Sequence, residues 1–257
     1  MSRIIAIANQ KGGVGKTTTG VNLAASLSAA KRHVLLVDLD PQGNATMGSG
    51  IDKQNLTHSS YDVLMNDKTA QEVMVHSEDG GYDLIPTNAD LTGAEVSLLD
   101  EMAREIRLRS ALEPIKENYD FIFIDCPPSL NMLTVNALVA ADSIMIPMQC
   151  EYYALEGLSA LMETIEKIRK YLNPQLKIEG LLRTMYDPRN NLATEVSSQL
   201  LEHFGEKVYR TIIPRNVRLA EAPSHGMAAL AYDKSSTGAV AYLALAGEML
   251  RREGLAA

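Results

Sequence analysis

The sequence has little cysteine, no long apolar run and no excess of basic residues. Its 257 residues include two cysteines, Cys126 and Cys150, which fit a reducing compartment without proving one. Both flank strand-like segments, so we interpret them as buried structural thiols, with metal binding or redox chemistry as the alternative. Neither has the sequence surroundings expected of a cysteine that holds an iron–sulfur cluster between two subunits.

Targeting and membrane signals are missing too. No charged region followed by an apolar core opens the chain, and no apolar run is long enough to span a bilayer. We find no internal repeat, low-complexity segment, heptad array or interdomain linker, and 46% hydrophobic residues suffice for a full core. We therefore expect a cytoplasmic protein with one domain over residues 1–257. An N-terminal helix-turn-helix domain is not expected, because the first predicted strand begins almost at Met1.

Acidic residues outnumber basic ones, but unevenly along the chain. The formal net charge is −8. Residues 51–110 contain 12 acidic and 5 basic residues, which gives −7, whereas residues 183–218 contain 6 basic and 4 acidic residues, which gives +2. Because affinity for a phosphate backbone depends on local contacts, the acidic total neither excludes nor predicts nucleic-acid binding.

A glycine-rich loop lies between a predicted strand and a predicted helix. Residues 4–8 form an apolar run typical of a buried strand, and apolar residues recur at helical spacing from Val21 to Leu27. Glycines between them let several backbone N–H groups converge on phosphate oxygens, and the helix N-terminus adds unsatisfied donors. The loop predicts a nucleoside triphosphate site, and its residues are Lys11, Gly12, Gly13, Val14, Gly15, Lys16, Thr17 and Thr18.

Two features distinguish this loop from the common phosphate-binding form. Gln10 occupies the position, five places before Gly15, where a glycine is usual. A second lysine, Lys11, stands at the start of the loop. Lys11 could be an ordinary solvated lysine, but it adjoins a site that will carry several negative charges. In the pattern itself, Lys16 would reach the β- and γ-phosphates, and the Thr17 hydroxyl would ligate Mg²⁺.

The segment KGGVGKT over residues 11–17 is the deviant phosphate-loop signature. With it the sequence resembles the ParA/Soj family of DNA-partitioning ATPases, within the wider ParA/MinD class. The resemblance implies ATP and Mg²⁺ as cofactors and slow, Mg²⁺-dependent ATP hydrolysis. It also implies an ATP-dependent homodimer, in which Lys11 reaches across to the ATP of the partner subunit.

Two further predicted strands end in aspartates. Val34–Asp38 is followed by Asp40, and carboxylates at alternate positions leave a strand end on the same side, where they can hold Mg²⁺ through water or orient an attacking water. Phe121–Asp125 matches the Walker B pattern, whose carboxylate supports the Mg²⁺ shell. In the family, the residue matching Asp40 is needed for hydrolysis and the one matching Asp38 supports the metal. The alternative for Asp40 is that it only opens a turn.

These matches divide the predicted site into two groups. The predicted catalytic residues are Lys11, Lys16 and Asp40. The predicted magnesium residues are Thr17, Asp38 and Asp125.

The rest of the chain continues the alternation of strands and helices. Further strand-like runs cover residues 143–148, 177–185 and 208–214, and helical patterns cover residues 155–171 and 193–204. This alternation predicts an α/β fold of three layers, a mostly parallel twisted sheet with helices on both faces, as in deviant Walker P-loop NTPases. The nucleotide is expected at the carboxyl ends of the strands.

The resemblance also implies roles for residues in the C-terminal part of the chain. Arg189 and Arg218 match positions that contact the DNA backbone, and Arg215 is a weaker candidate that could instead face the nucleotide or the dimer partner. For any exposed arginine the alternative is a solvated or salt-bridged side chain. Met185 and Pro214 match positions that line the adenine pocket, and we group Asn216 with them as a nucleotide contact. One departure from the family is Met227-Ala228, where Lys-Pro is usual.

Together these assignments predict an ATP-timed switch. The ATP-bound dimer would bind double-stranded DNA without sequence preference, associate with the nucleoid and segregate a chromosome or plasmid. A ParB-type centromere-binding protein would stimulate hydrolysis and release the dimer. A MinD-like membrane switch remains open, although the tail 241–252 lacks bulky aromatics and a dense basic face. A ParA-like ATPase that positions a protein cargo remains open as well, whereas a metabolic ligase is disfavoured because no second-substrate site is recognisable.

Overall fold

The computed structural model describes residues 2–255, and its central element is a seven-stranded sheet with the strand order β3-β4-β2-β5-β1-β6-β7. The strands are β1 Arg3–Ile7, β2 Val34–Asp38, β3 Val75–Ser77, β4 Tyr82–Ile85, β5 Phe121–Asp125, β6 Ser143–Gln149 and β7 Lys177–Thr184. All neighbouring pairs are parallel except β3 and β4 at one edge.

Helices cover both faces of this sheet. They are α1 Lys16–Ala29, α2 Asn44–Gly48, α3 Ser60–Met65, α4 Ala70–Val73, α5 Leu91–Ser97, α6 Arg107–Leu112, α7 Met132–Ala140, α8 Ala154–Tyr171, α9 Asn191–Phe204, α10 Val217–Glu221, α11 Ala229–Tyr232 and α12 Thr237–Arg252. Short 3-10 turns lie at Lys53–Asn55, Leu98–Asp100, Arg104–Ile106, Lys116–Asn118, Gly205–Lys207 and Ala222–His225. The three-layer α/β fold predicted from the sequence is confirmed.

Alternation along the strands creates two separate cores. In β1, Ile4 and Ala6 belong to one buried cluster, and Ile5 and Ile7 belong to the other. Successive side chains of a strand point to opposite faces, so an apolar run covered on both sides fills two layers at once. The first cluster includes residues of α7, α8 and α9, and the second includes residues of α1 and α12.

The C-terminal helix α12 is packed rather than free. Tyr242, Leu245 and Met249 are buried in the second core, and the Tyr242 hydroxyl lies 3.1 Å from the Thr19 hydroxyl of α1. Its apolar face is therefore occupied by protein. Among residues 2–255, we find no helix that combines the length and the apolar composition needed to cross a bilayer.

The predicted strand at 208–214 is wrong, because side chains bind its backbone groups. The guanidinium of Arg183 donates to the carbonyl oxygens of Tyr209 at 2.9 Å and of Arg210 at 3.3 Å. The carboxylate of Glu248 accepts the backbone N–H groups of Arg210 at 2.9 Å and of the next residue at 2.8 Å. The segment keeps only isolated bridges to its neighbour, at Val208 and at Pro214.

The edge strands β3 and β4 carry no strong signal in the sequence. β3 has three residues, and its central residue, His76, is exposed. Because such a strand is too short to show an alternating pattern, it was not predicted. The other strands and helices named from the sequence appear within a few residues of the expected bounds.

We predict that Gly180→Ala destabilises the fold. A Cβ at Gly180 in β7 would lie 2.5 Å from the buried ring of Tyr209 and 3.0 Å from the Lys207 carbonyl oxygen, and such overpacking costs about 1–3 kcal/mol. Thermal melting should show a lowered Tm. The matched control is Gly157→Ala in α8, where a Cβ has no atom within 4 Å and alanine is the better helix former. Equal melting temperatures for both variants would contradict the close approach at Gly180.

Candidate nucleotide and magnesium site

The glycine-rich loop connects β1 to α1 at the carboxyl end of the sheet. Gly13 and Gly15 have φ values of 72° and 87°, which lie in the left-handed region that favours glycine. A Cβ at Gly12 or Gly13 would meet no atom within 4 Å, so the loop borders open space. The Thr184 hydroxyl of β7 donates to the Val14 carbonyl oxygen at 2.7 Å and holds the loop against the sheet.

The N-terminus of α1 is free to bind an anion. The helix begins at Lys16, no side chain caps it, and its first turn contains no acidic residue. The first N–H groups of a helix have no partner within the helix and carry partial positive charge. Together with the loop amides they form a site suited to phosphate groups.

A cleft of about 510 Å³ opens in front of the loop and the start of α1. Its lining includes these predicted residues: Gly13, Gly15, Lys16, Thr17, Thr18, Asp40, Met185, Pro214, Arg215 and Asn216. The lining residues that the sequence did not identify are Gln42, Asn44, Pro128, Thr184, Ile213, Leu219, Ala220 and Tyr242. For most of these residues, the sequence pattern is the same whether the side chain lines a cleft or lies in the core. Five of the predicted loop residues, from Gly13 to Thr18, thus share one cavity with Met185, Pro214 and Asn216, whereas Lys11, Gly12 and Val14 do not line it.

Lys16 lies inside this site. Its side chain is buried, and the Nζ atom donates to the Lys11 carbonyl oxygen at 3.3 Å. Burial lowers the pKa of Lys16, and the nearby carboxylates of Asp125 and Asp40 oppose that shift. Negative charge in the cleft would therefore stabilise the ammonium form.

Two buried carboxylates lie side by side because of the sheet register. Asp38 of β2 and Asp125 of β5 are directly paired, and both are fully buried. Burial raises the pKa of Asp125 well above its usual range, and the charge of Asp38 raises it further. Burial also raises the pKa of Asp38 to about 6, although hydrogen bonds from Thr46 act in the opposite direction. Ionising both carboxyl groups is therefore costly, and the positive charge of Lys16 opposes the pKa shift of Asp125 only in part.

Asp125 has the geometry of a group that supports a cation. Its Oδ2 atom accepts a hydrogen bond from the Thr17 hydroxyl at 2.7 Å, whereas its buried Oδ1 atom has no hydrogen-bond partner. An orphaned buried carboxylate oxygen is uncommon unless a water or an ion satisfies it. Within residues 2–255, no group of three or more His, Cys, Asp and Glu residues could hold a metal ion by itself. A magnesium ion here would take most of its ligands from phosphate oxygens and water.

Asp38 and Asp40 occupy different environments. Asp38 is saturated by hydrogen bonds, since its Oδ2 atom accepts the Thr46 backbone N–H at 2.8 Å and the Thr46 hydroxyl at 2.7 Å. Asp40 lines the cleft, and its Oδ1 atom accepts the Gln42 N–H at 3.0 Å. The Asp40 carbonyl oxygen also accepts the Gly43 N–H at 2.8 Å. Asp40 thus opens a turn and also lines the cleft, and its role in hydrolysis stays a prediction.

Lys11 lies outside the cleft, on the exposed rim of the loop. Its Nζ atom forms an ion pair with the carboxylate of Glu151, and both side chains are exposed. Its backbone N–H donates to Asn9 Oδ1 at 3.0 Å. Glu151 was missed in the sequence, because an isolated acid after β6 carries no signal. Lys11 is therefore held within its own subunit and does not reach into its own site.

The three predicted DNA-contacting arginines are exposed. Arg189 forms an ion pair with Asp187 at 2.8 Å. Arg218 pairs with Glu221 at 2.7 Å and with Asp233 at 3.3 Å. Arg215 forms part of the cleft wall. The salt-bridged alternative therefore describes Arg189 and Arg218 in this structure.

We predict that Asp125→Asn stabilises the nucleotide-free fold at alkaline pH. The folded-state pKa of Asp125 is raised, so ionisation in the folded state opposes folding. This destabilisation is absent below the unfolded pKa and is complete above the folded pKa. The stability gain of the variant should therefore grow with pH, by on the order of 1 kcal/mol for each unit of pKa shift. Thermal melts with a chelator at pH 5 and pH 8 measure it, and a gain that shrinks with rising pH would refute the buried charge.

Comparison with known proteins identifies relatives over nearly the whole chain. A family model described as an AAA domain matches residues 2–178. A chromosome partitioning protein ParA of Myxococcus xanthus is 53% identical, over 98% of this chain and 89% of its own. The sporulation initiation inhibitor protein Soj of Bacillus subtilis is 54% identical, over 97% of this chain and 98% of its own.

A solved structure has the same fold and carries a nucleotide. It is described as a cobyrinic acid a,c-diamide synthase from Mycobacterium smegmatis with a bound ATP analog and magnesium. Its TM-score is 0.86 and its identity is 38%, over 99% of this chain and 96% of its own. On the strength of the family model and of two relatives more than half identical, the chain belongs to the ParA/Soj family of chromosome-partitioning ATPases.

Proposed function

We propose that this ATPase is an ATP-timed switch that binds DNA without sequence preference as a dimer and segregates a chromosome or plasmid. The observation that carries the proposal is the difference in position between the two loop lysines. Lys16 is buried in the cleft, whereas Lys11 stands on the exposed rim and outside that cleft. A loop lysine that cannot serve its own site is suited to serve the site of a second subunit.

The cleft and the aspartates behind it offer groups suited to ATP and to Mg²⁺. The loop amides, the start of α1 and Lys16 would hold the phosphates, and Met185, Pro214 and Asn216 would border the base. Thr17 and Asp125, with Asp38 behind them, would support Mg²⁺, which neutralises phosphate charge when bound. Asp40 faces the cleft and would orient the attacking water. Phosphoryl transfer depends mainly on such positioning and charge neutralisation.

A dimer that forms over the loops would release Lys11 from Glu151. Both side chains are exposed, so their ion pair contributes about 0–1 kcal/mol. The charge of a triphosphate in the partner subunit competes easily with such a pair. Gly12 and Gly13 leave the space in front of the loop open, which permits close approach of a second backbone. Dimerisation would thus depend on ATP in both subunits.

Arg189, Arg215 and Arg218 form the proposed DNA surface. Asp187 forms an ion pair with Arg189, and the positive charge of Arg215 also helps to lower the pKa of Asp187. The β-bridge between Tyr186 and Pro214 brings the two loops together. DNA must exchange the exposed ion pairs of these arginines for phosphate contacts. Exposed pairs are weak, so the exchange costs little, and two subunits would present two such surfaces.

The rival functions are less well supported. A membrane switch needs a free apolar helix face, but the apolar face of α12 is buried in the second core. A synthase function has support from the name of one solved structure at 38% identity, against 53% and 54% for the relatives named for partitioning or as Soj. A protein cargo in place of a centromere would change only the partner. A ParB-type adaptor is the partner that we propose, acting in the cytoplasm on nucleoid-bound dimers.

The deciding experiment measures DNA binding with no nucleotide, with ADP and with ATP, at about 50 and 200 mM salt. Binding that requires ATP, ignores sequence and weakens with salt supports the switch. Absence of binding in every nucleotide state refutes the DNA function and favours the membrane or protein-cargo alternatives. Liposome co-sedimentation and a pull-down with a ParB-type adaptor then separate those two.

We predict that Asp40→Ala slows hydrolysis and prolongs the life of the ATP dimer. Loss of the group that orients water costs about 10²–10⁴-fold in rate, while the phosphate loop remains intact. Phosphate release and size-exclusion chromatography with ATP measure the two effects. Asp67→Ala, at an exposed carboxylate outside the cleft, is the control. Unchanged turnover in Asp40→Ala would remove Asp40 from the mechanism.

We also predict that Arg189→Glu combined with Arg218→Glu abolishes DNA binding but spares ATP-dependent dimerisation. Each lost phosphate contact should reduce the salt slope by about 1. Arg109→Glu combined with Lys170→Glu gives the same change in net charge at exposed positions of α6 and α8. Fluorescence polarisation with labelled duplex DNA compares the two. Retained binding in the first pair, or equal loss in both, would mean that the DNA surface lies elsewhere.

A further inference from the structure

An exposed apolar patch lies on the face of the sheet opposite α12. It consists of Val96, Leu99, Met102 and Ile106, and we call it the 96–106 patch. Met102 is 85% exposed and Val96 is 69% exposed. Four large apolar side chains within eleven residues exceed the scattered single ones found on ordinary surfaces, and such patches mark interaction sites.

Acidic residues surround this patch. Residues 90–106 contain five acidic residues and one arginine, which gives a net charge of −4. The arginine, Arg104, is already paired with Glu105 at 3.2 Å, and Asp100 is exposed within the patch. An apolar surface in a negative field is complementary to a helix with an apolar stripe and basic flanks. A second copy of this chain fits less well, because a two-fold contact would place the same negative charge against itself.

The patch is tied to the loop that borders the nucleotide cleft. The buried amide of Asn136 in α7 donates to the Arg104 carbonyl oxygen at 2.8 Å and accepts the Leu108 N–H at 3.1 Å. Asn131, at the start of α7, donates to the Glu95 carboxylate. The segment 126–131 joins α7 to Asp125, and Pro128 of that segment lines the cleft. A partner bound to the patch would therefore contact residues that are hydrogen-bonded to α7, the helix whose N-terminal end is joined to Asp125 of the candidate magnesium site.

We propose that the 96–106 patch is the docking surface for a basic amphipathic helix of a partner protein, and that docking acts on the nucleotide site through α7. The proposal of a docking surface rests only on the exposure of the 96–106 patch and on the negative charge around it. The effect on the nucleotide site rests on the proposed ATPase cycle.

The probe is a fluorescein-labelled peptide of about 18 residues, built from leucine and lysine at helical spacing so that one face is apolar. A peptide of the same composition in scrambled order has the same charge without the apolar face. Fluorescence polarisation should show that the ordered peptide binds about tenfold or more tightly than the scrambled one. The ordered peptide should also raise the rate of ATP hydrolysis severalfold.

Variants locate the binding surface. Val96→Ser combined with Met102→Ser removes apolar area, and Asp100→Lys reverses one charge. Both should weaken the ordered peptide about tenfold and leave basal hydrolysis unchanged. Val240→Ser combined with Leu243→Ser, at exposed apolar residues of α12, is the matched control and should bind like the unchanged protein. Thermal melting confirms that each variant is folded.

Three results would overturn the docking surface. They are equal binding of the ordered and scrambled peptides, equal binding by the patch variants, and patch-dependent self-association of the protein without peptide. Patch-dependent binding without any change in hydrolysis would overturn the coupling through α7 alone. If the unchanged protein does not hydrolyse Mg-ATP while the peptide still binds through the patch, the proposed function fails and the docking surface stands.

Discussion

The pairing of Asp38 with Asp125 is the constraint on which the site depends. Neighbouring parallel strands lie about 4.8 Å apart, and the register of β2 and β5 places these two aspartates directly opposite each other at their carboxyl ends. Neither side chain reaches solvent, so their charges repel in a poorly screened environment. A cation bound beside these carboxylates would relieve this repulsion. If these aspartates support the metal as proposed, the nucleotide-free protein is less stable in return for a site prepared to bind a metal–nucleotide complex.

The phosphate loop and the proposed DNA surface are both connected to the end of strand β7. Thr184, at the end of β7, is bonded to the loop through Val14, and the next residue, Met185, has a φ of 48° in the left-handed region. The turn that carries Arg189 follows at once. A non-glycine residue in this conformation is strained by about 1 kcal/mol or more and persists only where its surroundings enforce it. The end of β7 is therefore a short, stiff connection between the nucleotide and the proposed DNA surface.

Most of the three-layer fold, the phosphate loop and the aspartates at the strand ends could be predicted from the sequence, for a physical reason. The central strands are buried on both faces, so they appear as continuous apolar runs, and the loop and aspartates follow those runs directly. Lys11 shows the limit of such prediction. Its position in the motif was evident, but its partner Glu151 lies 140 residues away and only the fold brings them together. The strand predicted at 208–214 failed for the same reason, since Arg183 and Glu248 belong to distant elements.

The segment 208–214 has a consequence for how copies of the protein can assemble. β7 is an edge strand, and unpaired edges invite strands from other molecules to continue the sheet. Here the segment 208–214 lies along β7, and the side chains of Arg183 and Glu248 bind backbone groups of that segment. At the opposite edge β3 is only three residues long and runs antiparallel. Both edges of the sheet thus discourage its extension by other copies and the fibres that such extension would produce, even at high local concentrations of the protein.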